Sequence, residues 1–192
     1  MTGRHDTQVA ASEMTARPSV LLIAGPAGAG KSSIAARISD QPGWLHLSED
    51  EHWTRIKIGR PPGELRTSAE QEVVQREVID RVRAEVADGR RVALELILYE
   101  DPPRPLQRYQ GAFDADGITY ATRILRPSVD ELLRRITVRG RSIEVDLPNL
   151  RAALEHQVGV LSSPHIDPRS IIDITDLGVE ELYDRHFRPL VE

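Results

Sequence analysis

The sequence predicts an α/β domain built on a parallel sheet with right-handed crossovers. Short, strand-like runs alternate with longer amphipathic segments from Val20 to Phe187, the pattern of parallel strands joined by helices. The first run, Val20-Leu21-Leu22-Ile23-Ala24, passes directly into a glycine-rich turn and then a helical pattern. Turn signals are too widely spaced for a sandwich or a barrel.

Taken in order, Val20 to Ala24 reads as the first strand, bounded by Pro18 and Gly25. Ser33 to Ser39 reads as a helix with Ile34, Ala35 and Ile38 on its inner side, and Trp44 to Leu47 as the second strand. Arg55 to Arg66 is basic and holds Gly59, Pro61, Pro62 and Gly63, so it reads as irregular. Thr67 or Ser68 caps the next helix, with Glu70 or Gln71 three residues on. There Val74, Val78, Val82 and Val86 recur every four residues, Val73 and Ile79 widen the stripe, and Gly89 ends it. Val92 to Leu98 is the third strand, after which Pro102, Pro103 and Pro105 break regular structure. Thr119 to Leu125 is the fourth strand, closed by Pro127. Ser128 and Glu131 form a capping box ahead of Val129, Leu132, Leu133 and Ile136. Pro148 suits a helix start, with Leu150, Leu154, Val158 and Leu161 on its apolar face. Ser170 to Ile174 is the fifth strand and Val179 to Phe187 the last helix.

The chain has 192 residues, the size of one domain able to bury a core. Its net charge of -5, with both signs interspersed, argues against a general nucleic-acid binder. Any site for a nucleotide must therefore gather positive potential locally. With no cysteine, disulfides, thiolate zinc sites and cysteine nucleophiles are excluded. Residues 1–17 are polar and lack the apolar core of a signal peptide. No later apolar run reaches the length that crosses a bilayer. These features predict a disordered leader over 1–17 and a single cytoplasmic domain over 18–192, without membrane or nucleic-acid contact.

Gly25-Pro26-Ala27-Gly28-Ala29-Gly30-Lys31-Ser32 matches the pattern Gly-x-x-x-x-Gly-Lys-Ser/Thr in full, and it follows a strand and opens a helix. Such a loop turns backbone N–H groups inward around phosphate oxygens, and glycine permits the dihedrals and the close approach. Lys31 is expected to reach the β- and γ-phosphates, and the Ser32 hydroxyl to coordinate magnesium. Ser33 extends the same helix start, whose positive end faces the phosphates. The motif thus predicts ATP and Mg2+ as cofactors.

On this motif and its context, the chain after Arg17 resembles the small P-loop kinases of metabolites and antibiotics: gluconate kinases, shikimate kinases and chloramphenicol phosphotransferases. The resemblance implies a P-loop NTPase fold of five parallel strands with helices on both faces, and a mobile lid at about residues 134–147. Within Ser48-Glu49-Asp50-Glu51-His52, Asp50 best matches the acidic residue that faces the acceptor in that class and takes or orients its hydroxyl proton. Glu49 is the alternative, its spacing to His52 resembling the Asp-x-x-His of gluconate kinases. The run Arg134-Arg135-Ile136-Thr137-Val138-Arg139-Gly140-Arg141 resembles the arginine-rich lid, with Arg135 and Arg139 on one helical face and Gly140 as hinge. A solvated basic face is the other reading of that run.

Asp173-Ile174-Thr175 resembles the stretch near the adenine in these kinases, although capping explains it equally well. Glu95 stands where related kinases carry an Asp near the metal. A water-mediated magnesium contact or a buried ion pair would satisfy it. Lys57 to Pro61 and Gln157 to Pro164 loosely resemble gluconate-kinase segments.

The expected activity is transfer of the γ-phosphoryl group of ATP to a hydroxyl of a sugar acid, antibiotic or similar metabolite. Trp53, Arg55, Lys57 and Arg60 are expected to line the acceptor pocket, the basic groups pointing to an anionic acceptor; surface charge is the alternative. A nucleoside or nucleotide kinase, and a nucleotide-dependent switch without acceptor chemistry, are the rival readings. Oligomeric state is left open.

Overall fold

Six consecutive apolar or glycine residues form β1 (Val20–Gly25), and all six are buried, because this strand lies at the centre of the sheet and is covered on both faces. The computed structural model describes residues 17–56, 67–138 and 147–192. The expected leader through residue 16, the segment 57–66 with Lys57 and Arg60, and the lid residues 139–146 with Arg139, Gly140 and Arg141 lie outside the described residues.

The remaining elements run α1 (Lys31–Ser39), β2 (Trp44–Ser48), α2 (Glu49–Ile56), α3 (Ser68–Ala87), β3 (Arg91–Ile97), α4 (Arg104–Asp116), β4 (Tyr120–Arg126), α5 (Val129–Val138), α6 (Leu147–Val160), β5 (Ile171–Asp173), α7 (Val179–His186) and α8 (Arg188–Val191). The five strands pair in the order β2-β3-β1-β4-β5, and every pairing is parallel. The expected fold is the one found.

Alternation along β1 divides the core in two. Val20, Leu22 and Ala24 pack with α3, α4 and Trp53 of α2 on one face. Leu21 and Ile23 pack with α1, α7, Leu132 of α5 and Leu154 of α6 on the other. Neither half could bury its apolar face without the sheet between them.

Local chemistry accounts for the helix boundaries. Thr67 caps α3 with a full capping box: the Glu70 N–H donates to Thr67 Oγ1 at 3.3 Å and the Thr67 N–H to Glu70 Oε2 at 2.9 Å. At α5 the expected box is only half made. The Glu131 N–H donates to Ser128 Oγ at 3.2 Å, but the Ser128 N–H goes to Thr175 Oγ1 at 3.0 Å. The Glu131 carboxylate is thereby released to the arginines of its own helix.

Three helices were not expected, α2, α4 and the short α8 after Phe187. The prolines read as breakers open α4 instead: Pro103 is its N-cap and Pro105 lies in its first turn, where a missing N–H costs nothing. The acidic run Glu49-Asp50-Glu51 forms the first turn of α2, a placement the helix dipole favours.

At the sheet's far edge, β5 pairs only with Ile124, Leu125 and Arg126 of β4. Among the described residues no strand lies beyond the first half of β4 there, and Arg123 Nη1 donates to its neighbour's carbonyl, Thr122 O, at 2.9 Å. No described helix is long and apolar enough to cross a membrane.

Gly25 closes β1 at φ +144°, and a Cβ built on it would lie 2.5 Å from the Leu125 carbonyl oxygen. Gly43 also has positive φ, at +82°, but nothing within 4 Å of such a Cβ. Gly25→Ala should therefore cost more than about 3 kcal/mol, strain plus a backbone clash, whereas Gly43→Ala should cost about 1 kcal/mol from left-handed backbone alone. Urea unfolding midpoints of the two variants check this difference.

Candidate functional site

The loop joining β1 to α1 turns through Gly28 and Gly30, both in the left-handed region, and Gly28 lies under α5. A Cβ there would meet Ile136 Cγ1 at 3.0 Å, so the loop and α5 pack face to face. The first turn of α1 has Gly30 as its N-cap and no side chain capping its N–H groups. These donors and the positive end of α1 face the loop's concavity, an arrangement suited to phosphate. Lys31 is buried, and its Nζ donates to the Pro26 carbonyl at 2.9 Å across the loop. Ser33 and Ala29 border the adjoining cleft.

Beside the loop lies a buried polar knot. Glu95 of β3 is 8% exposed and accepts from Ser32 Oγ at 3.2 Å, while His46 Nε2 of β2 lies 3.4 Å from the same oxygen. Ser48 stands directly across from Glu95 in the β2–β3 register. Burial raises the Glu95 pKa, but hydrogen bonding with His46, Ser48 and Ser32 outweighs it and leaves the carboxyl below its ordinary value. Its other oxygen, Oε2, is buried without a hydrogen-bond partner.

A Ser32 hydroxyl touching an ionised carboxylate, with one carboxylate oxygen unsatisfied, fits the oxygen-donor chemistry of magnesium. Among the described residues no group of three or more His, Asp or Glu forms a metal cage. Magnesium needs none, since it keeps water and shares phosphate oxygens. His46 and Ser48 escaped the sequence reading because their partner lies on another strand. Strands begun at Trp44 and Val92, as the sequence suggests, would set Leu47 opposite Glu95; the register starts one residue earlier, at Arg91, and brings Ser48 there.

On the other side of the loop a cleft of ≈ 430 Å³ opens between α1, α5 and the β5–α7 connection, lined among others by Gly30, Ser33, Arg134, Arg135, Thr175 and Gly178. Arg135 crosses its floor: Nε donates to Glu131 Oε1 at 2.6 Å, Nη1 to Ala29 O at 3.4 Å and Nη2 to Ile174 O at 3.3 Å. It is thus seated against the loop from the body of α5. Arg134 is more exposed and donates twice to Glu131 at 2.7 Å. Asp173 and Thr175 make a turn of their own, with the Thr175 N–H and hydroxyl donating to Asp173 Oδ1 at 3.1 and 2.8 Å. These bonds, backbone first, pull the Asp173 pKa down. Thr175 borders the cleft, and Asp173 shapes the turn behind it.

The two acidic candidates after β2 part company. Glu49 is 4% exposed and accepts from Trp53 Nε1 at 3.2 Å; Asp50, one residue on, is exposed. Trp53 itself is 2% exposed and lies in the core, so it does not wall an open pocket as expected. The reason is α2, whose helical turn carries Trp53 from the loop inward over Glu49. Helix α6 closes this side. Gln157 Oε1 accepts from the Ala27 N–H at 2.8 Å, and His156 Nε2 donates to Tyr99 O at 2.9 Å.

The Glu131 carboxyl is held at about 2 by hydrogen bonds from Arg134 and then Arg135. Its contribution to stability is complete above the unfolded carboxylate pKa of about 4.3 and fades as pH falls toward 2. Carbon-13 titration should show Glu131 still ionised at about pH 3, and Arg135→Ala should move its midpoint upward while Arg134 remains. An unshifted midpoint in that variant would show that Arg134 alone holds the charge.

Comparison with known proteins agrees with this architecture. The chain is similar in structure to a tunicamycin resistance protein of Deinococcus radiodurans, with TM-score 0.64 and 14% identity over 87% of this chain and 92% of that one. It is similar to a sugar kinase of Janibacter sp. HTCC2649, with TM-score 0.62 and 16% identity over 88% and 91%. A gluconokinase of Sinorhizobium meliloti 1021 gives TM-score 0.62 and 19% identity over 88% and 89%. No curated protein matches by sequence. A family described as AAA domain matches residues 20–164, from the start of β1 to just beyond α6. The chain belongs to this AAA domain family and has the P-loop kinase-like fold that its phosphate loop announces.

Proposed function

We propose that the protein is a Mg-ATP-dependent phosphotransferase that moves the γ-phosphoryl group to a hydroxyl of a small metabolite, sugar acid or antibiotic. One observation carries the reading: a complete Gly-x-x-x-x-Gly-Lys-Ser loop joins β1 to the uncapped N-terminus of α1, with Ser32 bonded to a buried, ionised Glu95. The likeness to a sugar kinase, a gluconokinase and a tunicamycin resistance protein supports the small hydroxyl compound as acceptor.

In this reading the cleft beside Arg135 receives the adenosine end, and the loop N–H groups from Gly25 to Ser33 cradle the phosphates. Lys31 leaves the Pro26 carbonyl to meet the β- and γ-phosphates. Ser32, with Glu95 behind it, would hold a magnesium ion, which would supply positive charge to the phosphates. Arg135 supplies fixed positive charge close to the loop, as transfer of a phosphoryl group requires. Arg139, the next residue in sequence after α5, adds a second positive charge to that task. Thr175 shapes the cleft rim with Asp173.

Asp50 orients or deprotonates the acceptor hydroxyl. It stands exposed on the first turn of α2, at the carboxyl end of β2, whereas Glu49 is turned into the core against Trp53. Arg55, Lys57 and Arg60, next along the chain, favour an anionic acceptor by their charge. Most of the rate comes from holding the reactants in line within this frame.

The deciding experiment is ADP release from Mg-ATP screened over sugar acids, shikimate-like acids, antibiotics, nucleosides and nucleoside monophosphates. Release stimulated by a hydroxyl compound of the first three kinds supports the proposal. Stimulation only by nucleosides or nucleotides, or slow hydrolysis indifferent to all, replaces it with one of the rival activities. Lys31→Ala should lower transfer by about 10²-fold or more with an unchanged circular dichroism spectrum. Asp50→Asn should lower turnover by about 10²-fold and leave ATP affinity, measured by calorimetry, nearly unchanged. Glu49→Gln should act mainly on the unfolding midpoint; the reverse pattern would assign the acidic role to Glu49.

A further inference from the structure

The peptide unit between Pro26 and Ala27 is gripped from both sides. Its carbonyl accepts from Lys31 Nζ at 2.9 Å and from the Ala29 N–H at 3.3 Å. Its N–H donates to Gln157 Oε1 at 2.8 Å. In a trans peptide these two groups point in opposite directions on one rigid plane, so whatever fixes the N–H also aims the carbonyl. Gln157 comes from α6, an element 130 residues away in sequence, and its neighbour His156 fastens the same helix to the Tyr99 carbonyl beyond β3. Nothing in the loop itself supplies an acceptor for the Ala27 N–H in the place Gln157 takes.

From this geometry we propose that Gln157 is a positioning residue for Lys31, acting through the Pro26–Ala27 peptide plane. With its N–H tied to α6, the plane keeps the Pro26 carbonyl turned toward Lys31, which holds the ammonium within the loop before phosphate arrives. Without the tie the plane is held from its carbonyl side alone and can tilt about the Ala29 contact. The acceptor that Lys31 meets on the loop is then less well aimed, and part of the binding energy goes into re-aligning it. The inference rests on the reading of the loop as a Mg-ATP site, and it adds α6 to the elements that build that site.

The test is a double-mutant cycle between Gln157→Met and Lys31→Ala, read by Mg-ATP affinity in calorimetry at low salt. Methionine matches glutamine in length and lacks the acceptor oxygen. Loss of one such hydrogen bond predicts ATP binding weakened about 3- to 10-fold in Gln157→Met. In the Lys31→Ala background the same change should matter less than about twofold, because the group it positions is gone. Exchange of the Ala27 amide hydrogen, followed by NMR without nucleotide, should quicken in Gln157→Met and return to the wild-type rate in Gln157→Glu, which restores an acceptor oxygen. Equal weakening in both backgrounds, or unchanged affinity and exchange in Gln157→Met, would overturn the proposal. A wild-type protein with no affinity for Mg-ATP would overturn the nucleotide reading as well. An ATP-binding wild type indifferent to Gln157 overturns the positioning role alone.

Discussion

The site depends on one close approach: the α-carbon of Gly25 against the carbonyl of Leu125. At this point β1 must end and the chain must turn over the top of β4 without losing contact with it. A side chain of any size would push the two strands apart just where the loop begins. Gly25 accepts both the contact and the dihedral, so the loop starts from a position set by the sheet rather than by its own flexibility. Everything downstream inherits that position. The start of α1, the packing of Gly28 against Ile136, and the reach of Lys31 to Pro26 all follow from where β1 stops.

Electrostatics then divide the neighbourhood into two kinds of charge. Glu95 is buried and kept ionised by polar neighbours on β2 and the first turn of α1, with one oxygen left unsatisfied. Such a group is costly in a core unless another partner completes it, which is why its place beside Ser32 fits a cation. Arg134 and Arg135 are instead paired with a carboxylate of their own helix. That pairing carries two guanidinium groups to the cleft with their mutual repulsion relieved. A chain of net negative charge can in this way present local positive potential to an anion.

Much of the fold was legible in the sequence because a strand buried on both faces leaves an unbroken apolar run, as β1 does, and β3 keeps that pattern apart from Arg91 and Glu95. Helix α3 announced itself through both its valine stripe and its capping box. Helices α2 and α4, both missed, show where single-residue reading stops. Proline at a helix start looks the same in sequence as proline after a helix end, and the acidic turn of α2 reads equally well as a loop. At the candidate site, the phosphate loop was legible because its chemistry is written in contiguous residues. The contacts of Glu95 with His46 and Ser48 were not, since they depend on strand register. Trp53 was read as a pocket wall because its neighbours are charged; only the helical turn of α2 reveals that it points into the core. For Asp173 and Thr175, the turn made by their own hydrogen bonds is the local account that capping chemistry offered from the outset.

The shortness of β5 has a consequence for how the molecule meets its own copies. An uncovered stretch of strand offers alternating N–H and C=O groups to any extended chain that comes alongside, and this is how sheets join across molecules. Here the stretch before Ile124 is interrupted by a guanidinium: Arg123 folds back on the Thr122 carbonyl and occupies an acceptor there. Charged side chains along a sheet edge discourage pairing with another chain, and the bond from Arg123 to Thr122 sets one beside the part of β4 that β5 leaves unpaired.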